Sequence, residues 1–93
     1  MIKSFKGGVT ESIWQRHYVK QFPSALHKMA RRKLGFLEDA MDLADLRIPP
    51  GNRLEALKGD RAGQYSIRIN DQWRACFRWV DGNAYDVEIT DYH

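Results

Sequence analysis

"YSIRINDQWRACFRWVDGNAYDVEIT", residues 65–90, decides the fold. Tyr65, Ile67 and Ile69 alternate with Ser66 and Arg68. Trp73, Ala75, Phe77 and Trp79 alternate with Arg74, Cys76 and Arg78, and Tyr85, Val87 and Ile89 with Asp86, Glu88 and Thr90. A period of two marks strands with one packed face and one polar face. Asn70-Asp71 and Asp81-Gly82 separate the runs, and the second is the stronger turn signal because glycine accepts positive φ. Strands joined by such short turns predict an antiparallel meander. "RLEALK", residues 53–58, adds a short strand ahead of it, ended by Gly59. Pro49, Pro50 and Gly51 make the preceding connection incompatible with helix.

Upstream the period is 3.6. Leu26, Ala30, Leu34, Leu37 and Met41 recur at helical spacing. Ser24 after Pro23 is the expected N-cap, with the helix ending near Ala44. A shorter helix is expected through Trp14 and Tyr18, capped by Thr10 or Ser12. "MIKSF", residues 1–5, reads as a short first strand broken by Gly7 and Gly8. Helices and strands segregated along the chain predict an α+β fold, two N-terminal helices packed on a small antiparallel sheet, in one domain spanning 1–93.

An apolar fraction of 43% in 93 residues fits a folded globule with a modest core. No apolar run approaches the roughly 18 residues of a membrane span. The first residues lack the apolar core of a signal peptide, and Cys76 is alone, so the expectation is a cytoplasmic protein without a membrane partner. Cys76 reads as a small packing residue.

The net charge is +3, a mild preference for an anionic partner. Residues 1–47 hold nine Lys/Arg against five Asp/Glu, and residues 48–93 hold six against seven. In the long helix Lys28, Arg31, Arg32 and Lys33 come first and Glu38, Asp39 and Asp42 last, the reverse of what a helix dipole favours. Each misfit costs only about a few tenths of a kcal/mol. Two readings stand open: a solvated face with indifferent charges, or a patch held for phosphates. The second makes Lys28, Arg31 and Arg32 RNA-binding candidates. On the sheet, Arg68, Arg74 and Arg78 share one face, with Asp86 and Glu88 on the next strand. Cross-strand pairing is expected for Arg68 and Arg78, whereas Arg74, beside Trp73 at a strand start, is a site candidate.

His17, His27 and His93 have no metal-ligand spacing, and no phosphate loop or nucleophile motif occurs, so neither metal nor cofactor is expected. What remains is Lys58, Arg74, Asp91, Tyr92 and His93. Such a set suits cleavage of RNA by its own 2′-hydroxyl, which needs a base, an acid and cations but no cofactor. His93 suits proton transfer at neutral pH. Tyr92 suits stacking on a base or orienting a ribose. For both residues the plainer reading is an exposed or half-buried chain-end side chain.

The chain resembles the HigB toxins, a branch of the RelE-like bacterial toxins. The likeness is carried by "LKG" at residues 57–59, "SIRINDQWR" at 66–74 and "VEITDYH" at 87–93, and it covers nearly the whole chain. It implies the same fold of two helices on an antiparallel sheet. It implies a ribosome-dependent, metal-independent endoribonuclease acting on translated messenger RNA. It implies a HigA-type helix-turn-helix antitoxin as partner, with operator DNA reached only through that complex. The family's catalytic positions fall on Lys58, Arg74, Asp91, Tyr92 and His93. Many HigB proteins carry histidine where this chain has Glu55, whose carboxylate is able to accept a proton or orient a neighbour but repels phosphate. Glu55 is therefore a further catalytic candidate. It also keeps open the alternative of a RelE-like binding module that inhibits translation, or acts through its antitoxin complex, with little or no cleavage. A general basic RNA-binding protein fits less well, because the net charge is small.

Overall fold

The computed structural model describes residues 1–91. The sheet has four strands in the order β1-β2-β3-β4, every neighbouring pair antiparallel. They are β1 (Glu55–Ala56), β2 (Tyr65–Arg68), β3 (Trp73–Val80) and β4 (Asn83–Asp91). The alternation is realised in β2, in β3 and in β4 from Val87 onward. Ahead of Val87 it is Ala84 that enters the core, while Tyr85 lies opposite Arg78 on the polar face. Ile67, Ala75 and Val87 point into a core shared with Ile13, Leu34 and Leu37 of the helices α1 (Gly8–Trp14) and α2 (His27–Asp39). The opposite face carries Ser66, Arg74, Cys76 and Thr90, where Cys76 Sγ lies 3.4 Å from Thr90 Oγ1. β3 is central and buried on both faces from Arg74 to Phe77.

The turns follow their chemistry. Asn70 Oδ1 accepts from the N–H groups of Gln72 and Trp73 at 2.9 and 2.8 Å, an Asx turn that needs no glycine. Asp81 and Gly82 both have positive φ, 50° and 79°, as a two-residue hairpin requires. A Cβ on Gly82 would sit 3.1 Å from the Met41 carbonyl, so the position also needs a missing side chain.

Between the Cys76–Glu88 and Arg78–Tyr85 pairs, Asp86 and Val87 oppose only Phe77. This bulge sets Asp86 at φ 53°. Its N–H turns to Ser4 Oγ at 2.9 Å. "MIKSF" runs beside β4, but as two isolated parallel bridges, Ile2 to Ala84 and Phe5 to Val87, rather than as a full strand.

The helices depart from expectation at their ends. α1 starts after Gly7 without a side-chain cap and stops at Trp14. Thr10 does not cap it. Its buried hydroxyl accepts the Ile89 N–H at 2.9 Å and so supplies β4 with a partner from the helix. Ser24 opens a single 3-10 turn, and α2 follows from His27. His27 is buried and bridges the start of α2: its Nε2 accepts the Val19 N–H at 3.2 Å, and its Nδ1 donates to the Pro23 carbonyl at 3.0 Å. α2 ends at Asp39, and Met41 is 80% exposed rather than part of the apolar stripe. The cause is local. Asp45 Oδ2 accepts the N–H groups of Met41 and Asp42 at 3.0 and 3.1 Å and starts a new 3-10 turn there.

Candidate active site

Arg74 is the fixed point of the polar sheet face. It pairs with Arg68 on β2 and Thr90 on β4, and only 9% of its surface is exposed. A buried guanidinium needs its donors satisfied. Nε donates to Ser66 Oγ at 2.7 Å and one terminal NH₂ donates to the Arg53 carbonyl at 2.8 Å. The same NH₂ lies 3.6 Å from Glu55 Oε2. β1 brings Glu55 there by pairing it with Ser66. The Arg53 carbonyl is aimed by a left-handed residue, φ 47°.

Arg53 follows Asn52, which is wholly buried and held on three sides. Its Nδ2 donates to the Leu46 carbonyl at 3.2 Å and lies 3.5 Å from that of Ile48. Its Oδ1 accepts from Lys33 Nζ at 2.6 Å. Lys33 is 8% exposed, so it belongs to this support and not to the basic face. Its pKa is pushed below the ordinary lysine range, first by burial and then by the charges of Arg32 and Arg68.

Lys58 is exposed, three positions beyond Glu55, where it opens the 3-10 turn Gly59–Arg61. Asp91 pairs with Trp73 and so shares that residue's face rather than that of Arg74. Its carboxylate accepts from Gln72 Nε2 at 2.9 Å. Tyr92 and His93 lie outside the described residues. The structure thus joins Glu55 to Arg74, sets Lys58 in the same connection as Glu55, and puts Asp91 at the end of β4.

The other arginines of the sheet are structural. Arg78 pairs across strands with Asp86 at 2.8 Å, as expected. Arg68 instead pairs with Asp71 in its own turn, and Glu88 with Arg61 from a loop. Sequence reasoning missed Ser66, Asn52 and Arg53. A small polar residue between Tyr65 and Ile67 was a signal for the first; Asn52, in a Pro-Gly loop, offered none.

Lys28, Arg31 and Arg32 lie on the outer side of α2, where with Trp14, Arg16 and Gly35 they line a cleft. Among the described residues no helix is long and apolar enough to cross a membrane.

Two helices on this antiparallel meander, with an arginine and a carboxylate on the polar sheet face, make the fold of RelE-like toxins. Solved structures of YoeB from Staphylococcus aureus share it. One in the YoeB-YefM complex has a TM-score of 0.60 at 18% identity, covering 100% of this chain and 98% of that one. The YoeB dimer has a TM-score of 0.60 at 19% identity, covering 99% and 97%. A family model described as "RelE-like toxin of type II toxin-antitoxin system HigB" matches residues 3–93. "Toxin HigB-1" of Vibrio cholerae is 44% identical over 92 residues, 96% of this chain and 95% of that protein. "Endoribonuclease HigB" of Proteus vulgaris is 30% identical over 93 residues, 100% of both. The chain belongs to the HigB family of RelE-like toxins, and it is the toxin of a type II pair whose partner is an antitoxin.

Proposed function

We propose that this toxin is an endoribonuclease that cuts translated messenger RNA on the ribosome. The observation that carries the reading is the locked guanidinium of Arg74, held by Ser66 and the Arg53 carbonyl beside the Glu55 carboxylate. A preorganised cation in a mostly buried position stabilises charge that develops in a transition state without reorganising. The 2′-oxygen attacks phosphorus, the bond to the 5′-oxygen breaks, and a 2′,3′-cyclic phosphate forms. Arg74 and Lys58 take the charge building on the phosphorane oxygens. His93 and Glu55 handle the protons, one leaving the 2′-hydroxyl and one reaching the 5′-oxygen. Tyr92 stacks on a base or orients the ribose, and Asp91 supplies the carboxylate at the end of β4. Lys28, Arg31 and Arg32 contact ribosomal RNA phosphates. The antitoxin is of the HigA helix-turn-helix kind, operator DNA is met only through it, and the toxin acts in the cytoplasm.

A second reading has its own observation. The Glu55 carboxylate, 3.6 Å from Arg74, competes for the cation the phosphate needs. On that reading the protein blocks translation by binding, with little cleavage. Mapping RNA 5′ ends in cells after induction separates the two. Cuts inside translated reading frames support the nuclease, and growth arrest without cuts supports the binding module.

A further inference from the structure

We infer that the cleft between α1 and α2 is a binding site for one nucleotide of unpaired RNA, its base against the Trp14 indole and its phosphate among Arg16, Lys28, Arg31 and Arg32. The inference rests on the reading that the basic face of α2 meets RNA, and it names what that face takes. The cleft has a volume of about 640 Å³, within the ~300–1,000 Å³ of small-ligand sites.

Three features set it apart from a solvated charge cluster. Its four cations form no ion pair with any acid among the described residues. Arg32 rests over the Phe36 ring, but no acid offsets the mutual repulsion of the four cations, which a bound phosphate does. Arg16 stands at φ 68°, in the left-handed region, just beyond the end of α1. Glycine or asparagine is the usual choice there, so ending the helix does not explain an arginine. Gly35 lies inside α2, where glycine weakens a helix. A Cβ added to it would meet nothing within 4 Å, so close packing does not explain it either. Both residues line the cleft: one adds a guanidinium, the other keeps the space clear. Trp14, half-buried with its packed side against the core, adds an aromatic surface between the charges. An aromatic ring with cations around it is how proteins hold unpaired bases without reading sequence. An acidic peptide would use the charges but gains little from the ring.

The test uses the full chain and two probes, adenosine 5′-monophosphate and inorganic phosphate, with the Trp14 indole N–H followed by NMR. The nucleotide is expected to shift that signal, and phosphate at equal concentration to leave it in place. Gly35→Leu fills the cleft without changing charge, and it should weaken the nucleotide at least tenfold. In ribosome pelleting Gly35→Leu should also lower affinity while leaving the salt dependence intact, whereas Arg31→Glu with Arg32→Glu should flatten it. An indole that ignores the nucleotide overturns the site. So does a Gly35→Leu protein that binds ribosomes like the parent while the charge reversal weakens them, although the phosphate reading of α2 then survives. Charge reversals that change nothing remove both. Loss of antitoxin binding in Gly35→Leu, with nucleotide and ribosome binding kept, overturns the site in favour of a peptide.

Discussion

Arg74 donates through Nε to the hydroxyl of Ser66, 2.7 Å away across β2 and β3, and Ser66 has no exposed surface. A hydroxyl buried this completely serves the guanidinium it accepts from. Ser66→Ala leaves that donor without its acceptor, at a cost of about 1–3 kcal/mol. The expected result is a lowered melting temperature together with slower cleavage of ribosome-bound message at unchanged ribosome affinity. Arg74→Lys should fail similarly, since an ammonium cannot span Ser66 and the Arg53 carbonyl in one plane. Parental cleavage by a folded Ser66→Ala protein would show that the serine only fills space.

Lys58→Ala should cut the cleavage rate about a hundredfold or more if the lysine meets the phosphorane, with little effect on stability because the side chain is exposed. Single-turnover rates on stalled ribosomes measure this directly.

Glu55→His removes a negative charge 3.6 Å from Arg74 and supplies an imidazole. Cleavage should rise. Glu55→Gln separates charge from proton transfer. A rise in both variants points to repulsion alone and removes Glu55 from proton transfer, whereas a fall with glutamine beside a rise with histidine assigns position 55 to moving a proton.

His93→Ala should relieve toxicity while antitoxin binding persists. His93→Gln keeps hydrogen bonding without titrating near neutral pH, so it should be as inactive as the alanine variant if the ring moves a proton. Growth arrest at matched protein levels, with both variants like the parent, would remove the residue from the mechanism.

Lys33 carries a pH prediction. Its native pKa lies below the ordinary value of about 10.4, so the unfolded chain binds more protons in the interval between the two. Stability should therefore rise with pH across that interval, as the buried ammonium gives up its charge. Lys33→Met should flatten this rise just below the ordinary lysine range, which denaturant titrations at several pH values would measure. A slope identical to the parent's would assign it to other groups.

Most of the sheet was legible because its signal is local. Tyr65 to Trp79 alternates cleanly, and strand order followed from turns too short to allow crossovers. The bulge at Asp86 and Val87, which turns Tyr85 to the polar face, left no local mark. The helix ends were not legible, because they are set by competition. Asp45 captures the N–H groups of Met41 and Asp42 and stops α2 where the apolar spacing continues to Met41. Thr10 has the chemistry of a cap but is spent on Ile89, across 79 residues, which no local pattern reveals. For the site, Arg74 stood out by its place beside Trp73. Its supports did not, because Asn52 and the Arg53 carbonyl act through backbone direction, and a carbonyl leaves no mark in a sequence.

The parallel bridges from residues 1–6 to β4 bear on the order of folding. Ser4 meets Asp86 across 82 positions, and Ile2 and Phe5 meet Ala84 and Val87. Contacts of such separation form late, because a long loop must close before they reward the chain. β2 and β3 are able to pair early through their Asx turn, and Arg74 then already faces Ser66. Apart from the Thr10 hydroxyl at Ile89, the described residues give β4 no partner on its outer edge until residues 1–6 return to it. Since β4 leads directly to Asp91, assembly of that end of the sheet waits on the opening residues of the chain. A lesion at Ile2 or Ser4, far from any reacting atom in sequence, should therefore delay the gain of toxicity after synthesis more than it lowers the final level.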